Sequence, residues 1–168
     1  VADAEYDLAH GAVRLMLPSD DCAKSPMAYW AGKTPYSEIE LLRHERGNKT
    51  PPIEAIASVN GQRMRVLFDT GALTAISLKA AKSVGATDMK STGRVAGVGQ
   101  GTVDSWTASV VRFEIGGEVI RNVRLKVVDF AMDGFDMLLG IDFFLSHRIY
   151  VSKPQRRIFF TYNRGQVF

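Results

Sequence analysis

The chain has 168 residues, of which 46% are hydrophobic and 23% are charged, a content that suits one globular domain of ordinary size with a short appendage. Its net charge is +3, from 21 basic and 18 acidic residues, which is too balanced to favour nucleic acid as a partner. No apolar run reaches the roughly 18 residues of a membrane helix, so the sequence predicts no membrane partner either.

The first 35 residues look separate from the rest. Residues 5–17 have the pattern of a strand, a tight turn and a second strand, and residues 148–160 near the other end have the same pattern. Residues 20–35 carry prolines and a glycine, which is typical of a linker. We therefore divide the chain into an N-terminal hairpin and linker at residues 1–35 and a main domain at residues 36–168.

The two hairpins can be aligned without gaps. That alignment places Leu8 on Val151, His10-Gly11 on Lys153-Pro154, and Arg14-Leu15 on Arg157-Ile158. Two interpretations stay open, because a match of thirteen residues is short. The N-terminal stretch is either the closing hairpin of a preceding, related domain or an unrelated hairpin.

The main domain opens with strands. Alternating apolar and charged residues predict a half-buried strand over residues 36–44, and a polar loop follows. Residues 53–68 predict a β-hairpin, because Asn60-Gly61 between apolar strands is the strongest short-range hairpin signal. A short helix over residues 78–84 is expected to end at Gly85.

A glycine-rich segment follows the predicted helix. Residues 94–115 predict a long hairpin with a mobile tip, formed by Gly97, Val98, Gly99, Gln100 and Gly101. The tip is no phosphate-binding loop, since no Lys-Ser/Thr pair and no helix follow it. Trp106, just past the tip, is expected to pack at the base of the hairpin.

The remaining segments are also short. We predict a hairpin over residues 113–128, a loop over 129–136, and a buried strand over 137–139 that runs into Gly140. Asp142 stands where it could cap or support a short helix over residues 143–146. Two final strands, over residues 148–151 and 157–162, close a chain whose fold class is all-β.

One stretch points to chemistry. Residues 66–72 read Val-Leu-Phe-Asp-Thr-Gly-Ala, which predicts a buried strand that ends in a tight turn carrying the Asp69 carboxylate. Thr70 can hydrogen-bond the backbone beneath the turn, and Gly71 lets the chain bend tightly. Burying a carboxylate costs free energy, so a functional role is expected for it.

Two motifs together resemble a known family. The Phe-Asp-Thr-Gly-Ala of residues 68–72 is similar to the catalytic loop of the retropepsin-like aspartic proteases. The Met-Leu-Leu-Gly-Ile-Asp-Phe-Phe of residues 137–144 resembles the Leu-Leu-Gly-x-Asp-Phe segment near the end of that domain. The resemblance covers roughly residues 51–162 and implies a closed β-barrel with a Gly-rich flap hairpin and one or two short helices.

The resemblance also implies roles for individual residues. Asp69 would be catalytic, with Thr70, Gly71 and Ala72 supporting its loop. Leu138, Leu139 and Gly140 would pack beneath that loop. The flap would be formed by Gly97, Val98, Gly99, Gln100 and Gly101, and would close over a peptide or protein substrate. No metal and no other cofactor are expected, and His10, His44 and His147 are too scattered for a metal site.

A single Asp-Thr-Gly supplies half of such a site. Hydrolysis by activated water needs two carboxylates about 3 Å apart that share one proton. The second would come from an identical chain in a homodimer or from a tandem domain. The alternative function is a non-catalytic module of the same fold that binds an extended peptide or dimerises. Two distant Asp69 carboxylates, or a groove plugged by the chain's own N-terminus, would favour that alternative. The sequence gives no prediction of the cellular compartment.

Overall fold

The computed structural model describes residues 2–17, 19, 22, 24–43, 51–96, 101–129, 131 and 134–168. These residues form twelve strands and two short α-helices. In chain order the elements are β1 (Asp3–Asp7), β2 (Ala12–Met16), β3 (Ser37–Glu40), β4 (Glu54–Val59), β5 (Gln62–Phe68), β6 (Ala75–Ser77), α1 (Leu78–Ser83), β7 (Thr87–Ala96), β8 (Thr102–Ile115), β9 (Glu118–Val128), β10 (Met137–Leu139), α2 (Ile141–Ser146), β11 (His147–Ser152) and β12 (Arg157–Tyr162).

Six strands close into a barrel. They follow the order β4-β5-β10-β6-β9-β8, and β8 pairs back onto β4 to complete the ring. Closure leaves no unpaired edge among these six, and their inward-facing side chains form the core. Fully buried core residues include Val59, Val66, Phe113, Val127 and Leu139. The predicted all-β, closed-barrel fold with two short helices is confirmed.

The hairpin at Asn60-Gly61 has the geometry that its sequence predicts. Asn60 and Gly61 have φ angles of 49° and 82°, the left-handed values that a two-residue β-turn requires. The Asn60 side chain adds a long-range role, because its Oδ1 accepts hydrogen bonds from the backbone N–H groups of Val111 and Arg112. The turn is thereby tied to β8, which closes the barrel.

The Gly-rich hairpin is longer than predicted. Its first strand, β7, begins at Thr87 rather than Arg94, because β8 supplies hydrogen-bonding partners along this exposed segment that its sequence pattern does not reveal. Of the five predicted tip residues, Gly97, Val98, Gly99 and Gln100 lie outside the described residues, and Gly101 is exposed. Trp106 lies opposite Ser91, midway along the β7–β8 pairing, and is partly buried against the barrel core.

A second sheet joins the two ends of the chain. Its strand order is β2-β1-β11-β12-β3, and β1 runs antiparallel to β11 with Glu5 opposite Tyr150. One face of β11 and β12 packs into the barrel core, while Tyr150 and Phe159 on the other face form a small cluster with Ala28. Burial and a hydrogen bond to Asp3 raise the pKa of Tyr150. The N-terminal hairpin is thus an extension of the terminal sheet.

Glu5 is the main polar anchor of that hairpin. Its side chain is fully buried and accepts hydrogen bonds from Arg14 at 2.5 Å, from the Arg148 guanidinium at 2.8 and 3.0 Å, and from the Tyr29 hydroxyl. Arg148 also lies over the Trp30 ring, 4.7 Å from its centroid. A buried carboxylate is tolerated here because cationic and hydroxyl donors surround it.

Glu5→Gln should therefore lower the free energy of unfolding by about 3 kcal/mol, because it removes the buried charge that Arg14 and Arg148 share. Arg148 would keep only the more distant Asp7 carboxylate, 3.8 Å away. Urea denaturation measures the change. The control is Glu114→Gln, whose partner Arg112 is bound at the surface, where both side chains are about 40% exposed. The control should cost less than about 1 kcal/mol. An equally small loss for Glu5→Gln would contradict this account.

Candidate active site

Strand β5 delivers Asp69 to the end of the barrel. Strand β10 lies parallel to β5, with Leu139 opposite Phe68, and antiparallel to β6 on its other side. The backbone N–H of Asp69 donates to the Leu139 carbonyl at 3.0 Å. The loop between β5 and β6 is thus held at both ends by one short strand, which fixes where the carboxylate stands.

The turn itself orients that carboxylate. The Gly71 N–H donates to Asp69 Oδ1 at 2.8 Å, and a Cβ on Gly71 would lie 3.2 Å from the same oxygen. That distance is tighter than most real Cβ contacts, so a side chain at position 71 would crowd the carboxylate. Asp69 is partly exposed, Thr70 is exposed and Ala72 is half-buried. The carboxylate is therefore oriented by the backbone and accessible from the outside.

Gly140 packs directly beneath the loop. A Cβ built on it would lie 2.3 Å from the Ala72 carbonyl oxygen and 2.4 Å from the Thr74 nitrogen, so only glycine fits. The next residue, Ile141, donates its N–H to the same Ala72 oxygen at 2.8 Å. The structure thus brings Gly140 against the loop, with Leu139 buried beside it in the core.

Thr74 is a supporting residue that the sequence analysis missed. It is buried, its Oγ1 donates to Asp142 Oδ1 at 2.6 Å, and it accepts the Gly140 N–H at 2.8 Å. Asp142 Oδ1 also accepts the N–H of Phe143 in the first turn of α2. Asp142 therefore joins the loop to the helix. No sequence motif marks a single threonine as a supporting residue. The role of Thr74 is visible only in the structure, through its hydrogen bond to a residue 68 positions away.

Thr74→Val should cost about 2–3 kcal/mol of unfolding free energy, because it leaves the buried Gly140 N–H and the Asp142 carboxylate without this partner. Thr74→Ser, which keeps the hydroxyl and loses only a methyl group, should retain most of the stability. Thermal or urea unfolding of the two variants measures the difference. Equal losses would show that the hydroxyl contributes nothing and that packing alone matters at this position.

A groove of about 310 Å³ opens above the loop. Asp69, Gly71, Ala72 and other residues of the loop line its floor. Its remaining walls are Val95 and Ala96 at the end of β7, Lys126 and Val128 on β9, and Leu138 on β10. The structure therefore brings Asp69, the Gly-rich hairpin and Leu138 to one groove. Among residues 2–17 none lines it, so the described N-terminal segment does not plug the groove.

His147, which the sequence analysis considered as a metal ligand, packs in the core instead. His147 is fully buried, stacks on Phe143 with ring centroids 4.0 Å apart, and lies 3.1 Å from the Glu118 carboxylate. Across the described ranges, no three His, Cys, Asp or Glu side chains are placed to hold a metal ion. No helix in this part of the chain has the length and apolar character needed to cross a membrane.

Comparisons with known proteins bear on the family and on the fold. A family model described as "Aspartyl protease" matches residues 55–143, which is more than half of the chain. In structure the chain is similar to a retropepsin-like aspartic protease from Rickettsia conorii, with 20% identity and a TM-score of 0.55, over 76% of this chain and 92% of that one. No curated protein matches it in sequence.

A second solved structure is similar in the same way. The retroviral protease-like domain of Ddi1 from Leishmania major has 16% identity and a TM-score of 0.53, over 68% of this chain and 90% of that one. At such identities the likeness shows the fold alone, and that fold is retropepsin-like.

Proposed function

The chain belongs to the aspartyl protease family, and on that premise we propose that it is half of an aspartic endopeptidase with Asp69 as its catalytic residue. The observation that carries the proposal is the placement of Asp69. Its carboxylate is oriented by Gly71 and lines the floor of a groove beside the end of the β7–β8 hairpin. A fixed, accessible carboxylate in a largely apolar groove is the arrangement that general acid–base catalysis needs.

The chemistry requires a second carboxylate beside the first. Two such groups about 3 Å apart cannot both ionise, so they share one proton. The ionised member takes a proton from a water molecule, which attacks the peptide carbonyl carbon. The protonated member donates to the carbonyl oxygen. The tetrahedral intermediate collapses when the carboxyl that took the water proton gives it to the departing amine, and the other carboxylate takes a proton back from a hydroxyl of the intermediate. The pair titrates as a unit, so neither pKa belongs to one residue alone.

The groove suits an extended peptide. Its walls are mostly small or apolar side chains, among them Ala72, Val95, Val128 and Leu138, while Lys126 adds one cation. We propose that apolar side chains of a peptide or protein substrate occupy this surface. Gly97, Val98, Gly99, Gln100 and Gly101, at the end of the β7–β8 hairpin, would close over the substrate backbone as a flap.

The second carboxylate must come from another barrel. The 168 residues contain a single Asp-Thr-Gly, so the site would be completed by an identical chain or by another domain of the same polypeptide. In either arrangement Thr70 and Gly71 would contact their counterparts across the axis. The two catalytic loops would then support each other.

The experiment that tests the proposal is peptide hydrolysis by the complete gene product, followed across acid and neutral pH with and without Asp69→Asn. Mass spectrometry of a mixture of unstructured peptides detects cleavage whatever sequence the enzyme prefers. A bell-shaped pH dependence that disappears with Asp69→Asn is expected. Peptide binding without any cleavage would favour a non-catalytic module of the same fold.

A further inference from the structure

The two hairpins of the terminal sheet have the same turn. Four residues, 8–11, join β1 to β2, and four residues, 153–156, join β11 to β12. In each turn the last residue donates its N–H to the first carbonyl, Gly11 to Leu8 at 3.0 Å and Arg156 to Lys153 at 3.2 Å. Both last residues have positive φ, 67° and 51°. The structural counterpart of Leu8 is therefore Lys153, two positions after the Val151 of the ungapped sequence alignment.

The hairpins are also arranged symmetrically. Strands β1 and β11 are antiparallel neighbours at the centre, and β2 and β12 flank them. By the turn correspondence, Glu5 is the counterpart of Tyr150, and these two residues lie directly opposite each other. The four strands thus have an approximate two-fold axis through that pair. Beyond β12 the sheet continues with β3, while beyond β2 no further strand is paired among the described residues.

Equivalent side chains of the two hairpins differ in burial. On β12, Ile158 and Phe160 are fully buried in the barrel core. Their counterparts on β2 are Val13 and Leu15, which are 56% and 77% exposed, and Leu17 continues the same face at 84% exposed. Strand β2 therefore carries the apolar face of a core strand with no barrel against it. A row of exposed apolar side chains of this kind marks a surface that another body covers.

The edge through which a second identical chain would be expected to pair is already occupied. In a two-fold pair built on this sheet, β11 would lie beside the corresponding strand of the partner. Here β1 takes that position, held by the buried Glu5 contacts to Arg148 and by Tyr6 packed on Phe144 at 5.1 Å. A second copy would have to displace β1 first.

We infer that β1 and β2 are the closing hairpin of a second barrel of the same family, which precedes β1 in the same polypeptide and covers the exposed face of β2. The two-fold axis that relates the hairpins relates the barrels, so that barrel supplies the counterpart of the Asp69 loop. A strand equivalent to β3 pairs with the free edge of β2. This assignment of the second catalytic loop rests on the proposed function, whereas the docking of the barrel does not.

Cysteine labelling tests the docking directly. Leu15→Cys is made in a Cys22→Ser background, in the complete gene product and in the 168-residue chain. Maleimide labelling at position 15, followed by peptide mass spectrometry, should be at least about tenfold slower in the complete gene product, because labelling there requires the barrels to separate. Val111→Cys is the matched control, since Val111 is 67% exposed on β8 and should label equally in both.

Three outcomes would overturn the inference. The first is equal labelling of Leu15→Cys in both proteins, together with equal labelling of Leu17→Cys. The second position is needed because the substitution at position 15 could itself weaken the docking contact. The second is a gene product with no barrel ahead of β1. The third is protection of Leu15→Cys in the 168-residue chain that grows with concentration, which would assign the face to a second copy.

The labelling result is independent of catalysis. Slow labelling in a product that cleaves no peptide would keep the docked barrel and reject the peptidase. Cleavage that depends on Asp69, with Leu15→Cys fully accessible, would keep the peptidase and reject the docked barrel. The failure of one proposal is thus distinguishable from the failure of the other.

Discussion

Asp69→Asn in the complete gene product should lower kcat/KM for peptide hydrolysis by about two to four orders of magnitude, the range that general acid–base catalysis contributes. An amide cannot take a proton from water, and it cannot share one with the opposite carboxylate. The fold should survive, because Asn keeps the side-chain oxygen that accepts the Gly71 N–H at 2.8 Å. Circular dichroism and the melting temperature check the fold alongside the rate.

The matched control for this prediction is Asp88→Asn. Asp88 is exposed on β7 and has a φ of 50°, a conformation that Asn adopts readily, so the substitution changes the charge equally without straining the backbone. The control should hydrolyse peptides at the wild-type rate. Undiminished cleavage by purified Asp69→Asn protein would refute the catalytic role of Asp69.

Gly140→Ala should be among the most destabilising single substitutions in the chain. The new methyl group would lie 2.3 Å from the Ala72 carbonyl oxygen and 2.4 Å from the Thr74 nitrogen, and both atoms belong to backbone that cannot rotate away. Overpacking costs about 1–3 kcal/mol where side chains can adjust, so a loss of about 3 kcal/mol or more is expected here. Urea denaturation measures it.

Gly140→Ala should also lower peptidase activity, because relief of the clash moves the loop that carries Asp69. The control for stability alone is Gly101→Ala, since a Cβ on Gly101 would have no heavy atom within 4 Å. That substitution should leave stability nearly unchanged or slightly raised, by restricting the unfolded chain. A stable Gly140→Ala protein with full activity would show that the close approach of Gly140 to the loop is not required.

The parts of the fold that could be predicted from the sequence are those set by the conformational preferences of short segments. Asn60-Gly61 requires a tight hairpin wherever it stands, because its backbone preference is its own. The apolar run into Asp69 and the Leu-Leu-Gly at residues 138–140 likewise indicate buried strands with fixed ends. The closed barrel followed from the resemblance that these short motifs carry.

The parts that sequence could not predict depend on distant partners. Thr74 matters because Asp142 lies against it, and strand β7 extends to Thr87 because β8 runs beside it. The place of the N-terminal hairpin in the terminal sheet depends on pairing with β11, at the other end of the chain. The ungapped alignment with residues 148–160 was two residues out of register, because equivalence was set by the turn and not by side-chain identity.

The catalytic role proposed for Asp69 depends on a second acid beside it. The most direct measurement is the distance between the Asp69 carboxylate and its closest carboxylate neighbour in a crystal structure of the complete gene product. We expect about 3 Å, with one proton shared between the two groups. An Asp69 side chain that stands alone in that structure, facing solvent with no second acid within hydrogen-bonding distance, would contradict it.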